Sequence, residues 1–164
     1  MSRAFVKERD GDSPGDDLPE SPVSSGPNFV TPKGLADLRA SLAAAQSLVE
    51  RLFGGDRKPA EKSALARARA DVRRLQRKLD AAVLVEPTTN DAGEIAIGMR
   101  VTIEDPDARR QTFTIVGEDE ADPIHGLVSW TSPLGKALLG KREGETAMWL
   151  RPAGDVEIKI VDVL

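Results

Sequence analysis

Three sets of side chains in this 164-residue sequence are of the kinds that do chemistry. The densest is Glu118-Asp119-Glu120, followed by Asp122. Four carboxylates this close could hold a hard cation, but their spacing is not that of a Ca²⁺ loop. The competing reading is an acidic strand end running into a turn. His125 is the only histidine and sits in Asp122-Pro123-Ile124-His125-Gly126, which reads as a turn. One imidazole makes no metal site alone, and no serine has an orienting partner beside it, so His125 reads as structural or exposed. The third set is basic: Arg67, Arg69, Arg73, Arg74, Arg77 and Lys78 crowd one segment and could meet a polyanion. Trp130 and Trp149 lack the flanking basic pattern of a base-stacking platform and read as sheet residues. Cysteine is absent, which excludes disulfides, thiol catalysis and thiolate metal sites.

The elements that must position these groups follow from periodicity. Apolar residues at Leu35, Leu38, Leu42, Ala45, Val49 and Leu52 step by alternating threes and fours. The same steps recur at Leu65, Ala68, Val72, Leu75, Leu79 and Ala82. Such spacing forms one seam on a slightly underwound helix, the coiled-coil repeat. Paired antiparallel, the positions match 35 with 82, 38 with 79, 42 with 75, 45 with 72, 49 with 68 and 52 with 65. Each pair adds to 117, so one fold axis between Lys58 and Pro59 serves all six layers. The spacing therefore predicts a helical hairpin with its tip at Gly54-Gly55-Asp56-Arg57-Lys58-Pro59. Thr31 suits the N-cap of the first helix and Pro32 its first position. The first helix is expected to run to about Phe53 and the second from Pro59 to about Val83.

Beyond a turn-rich linker at 87–93 the period changes to two. Val101 and Ile103, Phe113 and Ile115, Val128 and Trp130, and the run Val156–Asp162 alternate with mostly polar neighbours. Asp105-Pro106-Asp107-Ala108 reads as the turn between the first two strands. Pro133-Leu134-Gly135-Lys136-Ala137-Leu138-Leu139-Gly140 reads as a two-turn helix closed by glycine. The expected class is α+β: a disordered acidic arm at 1–28, a hairpin at 29–86, the linker, and a small sheet domain at 94–164. Charge divides along the same lines. Residues 32–85 carry twelve basic and six acidic side chains, whereas 86–164 carry eight and fifteen, within a net charge of −4. A basic rod joined to an acidic globule can be oriented by a surface with opposite patches. Residues 1–7 lack the apolar run of a signal peptide and no segment could span a bilayer, so a soluble cytoplasmic protein that avoids membranes is expected; a monomer is expected as well.

Ile115-Val116-Gly117-Glu118-Asp119-Glu120-Ala121-Asp122-Pro123, then Gly126-Leu127-Val128-Ser129, then Ser132-Pro133-Leu134-Gly135-Lys136-Ala137-Leu138-Leu139-Gly140-Lys141, closely resembles the C-terminal domain of bacterial Gre-type transcription elongation factors. Thr31, Gly34, Leu38, Arg39 and Leu42 also fit that family's T-x-x-G-x-x-x-L-R-x-x-L opening. The resemblance covers about residues 29 to 164 and implies an FKBP-like C-terminal domain. That fold label does not bring prolyl isomerase activity, and four Phe with no Tyr would hardly line a proline pocket. It further implies RNA polymerase core as partner: the globular domain grips the rim of the secondary channel and the hairpin passes inside. Asp119, Glu120, Asp122, Pro123, Ser132 and Pro133 then become the candidate polymerase contacts.

Cleavage factors of that family carry a G-D-x-x-E-N-A-E-Y tip whose carboxylates help hold a second Mg²⁺, a hard cation that keeps some of its waters. Here Gly55-Asp56 supplies the first two letters, but Pro59 stands at the glutamate position and Ala60-Glu61-Lys62-Ser63-Ala64 follows. Asp56 and Glu61 are thus the only tip carboxylates, and Arg57, Lys58 and Lys62 compete with a cation for their charge. The first helix is also about two turns, or about 11 Å, shorter than in the cleavage factors. The resemblance therefore implies a polymerase accessory factor that is no enzyme itself and has no cofactor of its own. Polymerase-bound Mg²⁺ enters only if cleavage through Asp56 and Glu61 is retained. A third reading is a DNA- or RNA-binding protein acting through the basic hairpin.

Overall fold

The structure, a computed structural model, describes residues 27–53, 59–86 and 93–164. The expected disordered arm (apart from its last two residues), most of the linker and the tip residues Gly54, Gly55, Asp56, Arg57 and Lys58 lie outside the described residues. Helix α1 spans Pro32–Leu52 and α2 spans Pro59–Asp80. The Thr31 hydroxyl accepts a hydrogen bond from the Gly34 N–H at 3.1 Å, and Pro32 occupies the first turn, where a missing N–H costs nothing. Every one of the twelve seam residues is buried or half-buried. Leu38, Leu42 and Leu75, packed with Ala45, Val72 and Leu79, form one cluster that contains the three layers 38/79, 42/75 and 45/72. The opposite faces stay in water, where Lys33 pairs with Asp37 and Arg74 with Asp71 at helical spacing.

The base of the hairpin departs from the expectation. Helix α2 stops at Asp80 rather than near Val83, and Ala82–Leu84 forms strand β2. It pairs in parallel with β1, Asn28–Val30, in the register Asn28 to Ala82, Phe29 to Val83 and Val30 to Leu84. The Asn28 N–H donates to the Ala81 carbonyl and the Val85 N–H to the Val30 carbonyl, at 3.2 and 2.9 Å. A partner strand held in place by the fold overrides the helix propensity of Ala82 and Leu84, as tertiary context commonly does, and Val83 suits a strand. The outermost predicted layer, 35 with 82, is therefore a helix facing a strand.

The globular half is a five-stranded mixed sheet with one helix. Its strands are β3 (Arg100–Glu104), β4 (Arg110–Val116), β5 (Leu127–Ser129), β6 (Thr146–Trp149) and β7 (Val156–Val163). Their order is β5-β4-β3-β7-β6, and only β4 and β5 run parallel. The period-two residues point inward: Val101, Ile103, Ile115, Val128, Ile158 and Ile160 are all buried in one core. Phe113 on β4 meets Trp149 on β6 edge to face at 6.5 Å, although two strands separate them in the sheet. That contact requires the sheet to curl. The turn after β3 forms as read, with the Asp105 carboxylate accepting from the Asp107 and Arg109 N–H groups at 2.9 Å each.

Helix α3, Pro133–Leu138, seals the open side of the curl with Leu134 and Leu138. Gly140, at φ +75°, follows it in the left-handed region that glycine favours. Gly135 is needed for a different reason: a Cβ there would lie 2.2 Å from the Ser129 carbonyl oxygen. Among the described residues no helix is long and apolar enough to cross a membrane.

Because both tryptophans lie in the globular half, the two layers can be followed separately. Leu138→Ala, at a position with 0% exposure, should cost about 2–5 kcal/mol in denaturant unfolding followed by tryptophan fluorescence. Leu42→Ala should instead show first in the helical circular dichroism signal. An equal loss of both signals in both variants would mean that the halves do not separate energetically.

Candidate docking face and hairpin base

Strand β4 delivers the acidic turn. Its first residue, Gly117, packs so closely under β1 that a Cβ would sit 2.2 Å from the Phe29 carbonyl oxygen. A 3-10 turn at Glu118–Glu120 follows and aims Glu120 back at the start of α1. There one carboxylate oxygen accepts from the Thr31 N–H at 2.9 Å and the Gly117 N–H at 3.3 Å. The Thr31 hydroxyl donates to the other oxygen. A helix N-terminus offers unpaired N–H groups and partial positive charge, so a carboxylate is favoured there. Gly34 leaves room for it, since a Cβ would lie 2.1 Å from the Glu120 carboxyl carbon.

Asp119 performs a parallel task on the other helix. It pairs with the Lys78 ammonium near the end of α2, and the Asn28 amide donates to it at 3.3 Å. The same amide donates to the Lys78 carbonyl at 3.1 Å. The Lys78 and Asp119 side chains are only 24% and 27% exposed, so this pair is screened less than a free surface one. Beside these contacts Phe29 meets Trp130 edge to face at 5.3 Å. Phe29 and Val85 thereby join the core of the globular half.

Asp122 begins a second 3-10 turn, Pro123–His125. Its carboxylate accepts from the Ile124 N–H at 3.2 Å and lies 2.6 Å from His125 Nδ1. The hydrogen bond to the His125 side chain is the main cause holding the Asp122 carboxyl below the usual carboxylate range, against a smaller opposing effect of burial. Reciprocal backbone bonds of 2.9 Å between Asp122 and Leu127 close the loop. At its crest Pro123 and His125 are exposed and Ile124 is 92% exposed. Ser132 caps α3: its hydroxyl donates to the Ser129 carbonyl at 2.7 Å and accepts from the Gly135 N–H at 3.0 Å. Pro133, the first residue of α3, faces solvent.

Six residues expected on one contact surface thus divide. Asp119 and Glu120 are committed to the hairpin base. Asp122, Pro123, Ser132 and Pro133 stay on the globular domain's own loop and helix start. Glu61 is exposed in the first turn of α2, while its expected partner Asp56 lies outside the described residues. Among the described residues no group of three or more His, Cys, Asp and Glu side chains could hold a metal. Sequence reasoning missed the Glu120 seat and the exposed Ile124. The one local hint of the first was Gly34, a poor helix former inside the first turn of a helix.

Residues 89–164 match the family model of the GreA/GreB transcription elongation factor C-terminal domain. The chain is similar to the transcription elongation factor GreA of Bacillus cytotoxicus, at 36% identity over 93 residues, covering 56% of this chain and 59% of that protein. GreA of Geobacillus kaustophilus is 39% identical over 93 residues with the same shares. The chain therefore spans only 59% of the length of these curated relatives. Among solved structures, GreA factor homolog 1 of Thermus thermophilus is 27% identical with a TM-score of 0.41, covering 84% of this chain and 98% of that one. Residues 89–164 thus belong to the family of GreA/GreB transcription elongation factor C-terminal domains, joined here to a helical hairpin.

Proposed function

We propose that this chain regulates bacterial transcription elongation by docking on RNA polymerase core at the secondary channel, without strong transcript cleavage. The family match over residues 89–164 carries this reading. The globular domain, which we read as FKBP-like, would meet the channel rim through Asp122, Pro123, Ser132 and Pro133. Ile124 would add an apolar anchor beside them, since a fully exposed aliphatic side chain gains most from being covered. The hairpin would enter the channel with its arginine-rich face against nucleic acid or polymerase walls. There it would obstruct substrate or rival factors, or alter pausing. We assign the protein no cofactor of its own and expect a cytoplasmic monomer.

The weak-cleavage part rests on the tip. Pro59 opens α2 where the cleavage motif of the family has a glutamate, so that position offers no carboxylate. Asp56 and Glu61 remain, among three cations. On a halted, backtracked polymerase, added protein should release little or no 3′ RNA fragment, and Asp56→Ala should change nothing. Release of short fragments that Asp56→Ala abolishes would overturn this and make the chain a cleavage factor. Polymerase binding should fall with Pro133→Ala and survive charge reversal at Arg73, Arg74 and Arg77. Binding lost on charge reversal alone, with a steep dependence on salt, would favour a nucleic-acid binder.

The docking loop also has a defined acid limit. A carboxyl held low in the folded state contributes order that is present above its unfolded pKa and is lost as pH falls through the folded one. Loop order from Asp122 should therefore be complete at neutral pH and vanish only on the acid side of the usual carboxylate range. An NMR titration of the Asp122 carboxyl should show a midpoint below that of Asp in a short peptide, and His125→Ala should move it up. A midpoint unmoved by His125→Ala would remove the histidine from the account.

A further inference from the structure

The geometry points to Glu120, Gly34 and the Asp119–Lys78 pair as positioning residues that fix the direction of the hairpin on the globular domain. They do this through contacts within the chain, at a joint that is half-buried at Glu120 and Lys78 and open to solvent at Asp119. Three independent contacts support the inference. The Glu120 carboxylate engages both the N–H and the hydroxyl of Thr31, the cap residue of α1. Asp119 holds Lys78, near the last turn of α2. Phe29, on the strand that precedes α1, stacks edge to face on Trp130 of the globular half. One helix is thus held at its first turn and the other near its last. Two attachment points on different helices of a stiff pair remove rotation about either one.

The two glycines show that the fit is close. A methyl group at Gly34 would overlap the Glu120 carboxyl, and one at Gly117 would overlap the Phe29 carbonyl. Neither glycine has a φ in the left-handed region, so backbone strain does not explain them; close approach does. Alanine at Gly34 would by itself favour the helix, which makes the absence of a side chain there a cost accepted for the contact. On this account Asp119 and Glu120 are engaged within the chain, although they stand in its most acidic stretch.

The absence of cysteine makes the test direct. Cysteines introduced as Ala43→Cys on α1 and Glu157→Cys on β7, both exposed positions, take spin labels at those two sites only. The otherwise unaltered full-length chain should give one narrow distance population. Glu120→Ala combined with Asp119→Ala should broaden it or add further populations, while circular dichroism and tryptophan fluorescence stay native. Gly34→Ala, which displaces Glu120 without removing a charge, should broaden it too and serves if the double variant fails to fold. A distribution as narrow as the parent's in these variants overturns the inference.

A second arm rests on the proposed docking at polymerase. The double variant should keep its affinity for core polymerase within about threefold. Its effect on elongation at saturating protein should fall about tenfold or more, as expected when a working part is misplaced. Affinity and effect falling together would mean that these side chains are contacts and would overturn the positioning role. If the unaltered protein binds no polymerase, the proposed function fails, and the spin-label distances still decide the positioning role.

Discussion

A carboxylate seated on the N-terminus of a helix holds the two halves of this molecule in one arrangement. Glu120 arrives from the sheet, Thr31 opens the hairpin, and the two meet through the cap residue's N–H and hydroxyl. The interaction is favourable for ordinary reasons, namely unpaired N–H donors and a helix dipole of the right sign. Its position gives it wider consequences. The first turn of α1 is where the rod begins, so whatever holds that turn sets the origin of everything beyond it.

The rest of the fold is compatible with that joint because each half closes on itself. The hairpin buries its seam between its own helices and ties its two ends with the β1–β2 pair. The sheet curls until Phe113 reaches Trp149 and is covered by α3. Neither half needs the other to complete most of its core. The joint between them can therefore be small and polar, with the Phe29–Trp130 contact as its apolar part. An arrangement of this kind gives direction without demanding a large buried interface.

What could be seen in the sequence follows from the range of the interactions involved. The seam from Leu35 to Leu79 was legible because a helix repeats every few residues and its apolar stripe is written locally. The strands around Ile103, Ile115 and Ile158 were legible for the same reason at period two. Strand β2 was not, because Ala82-Val83-Leu84 continues the helical pattern and only the distant Asn28-Phe29-Val30 turns it into a strand. The commitments of Asp119 and Glu120 were hidden in the same way. Their partners lie 41 and 89 residues away, and an acidic run looks alike whether it faces water, a partner or its own chain.

The 21 residues of α1 make the hairpin a lever about 30 Å long. A tilt of about 10° at the Thr31 end would carry the far end sideways by about 5 Å, roughly one helical turn. Substitutions at the Thr31 end can thus move the far end of α1 without altering any residue there. The composition of the joint and the reach of the rod are in this sense one property, distributed between two ends of a helix.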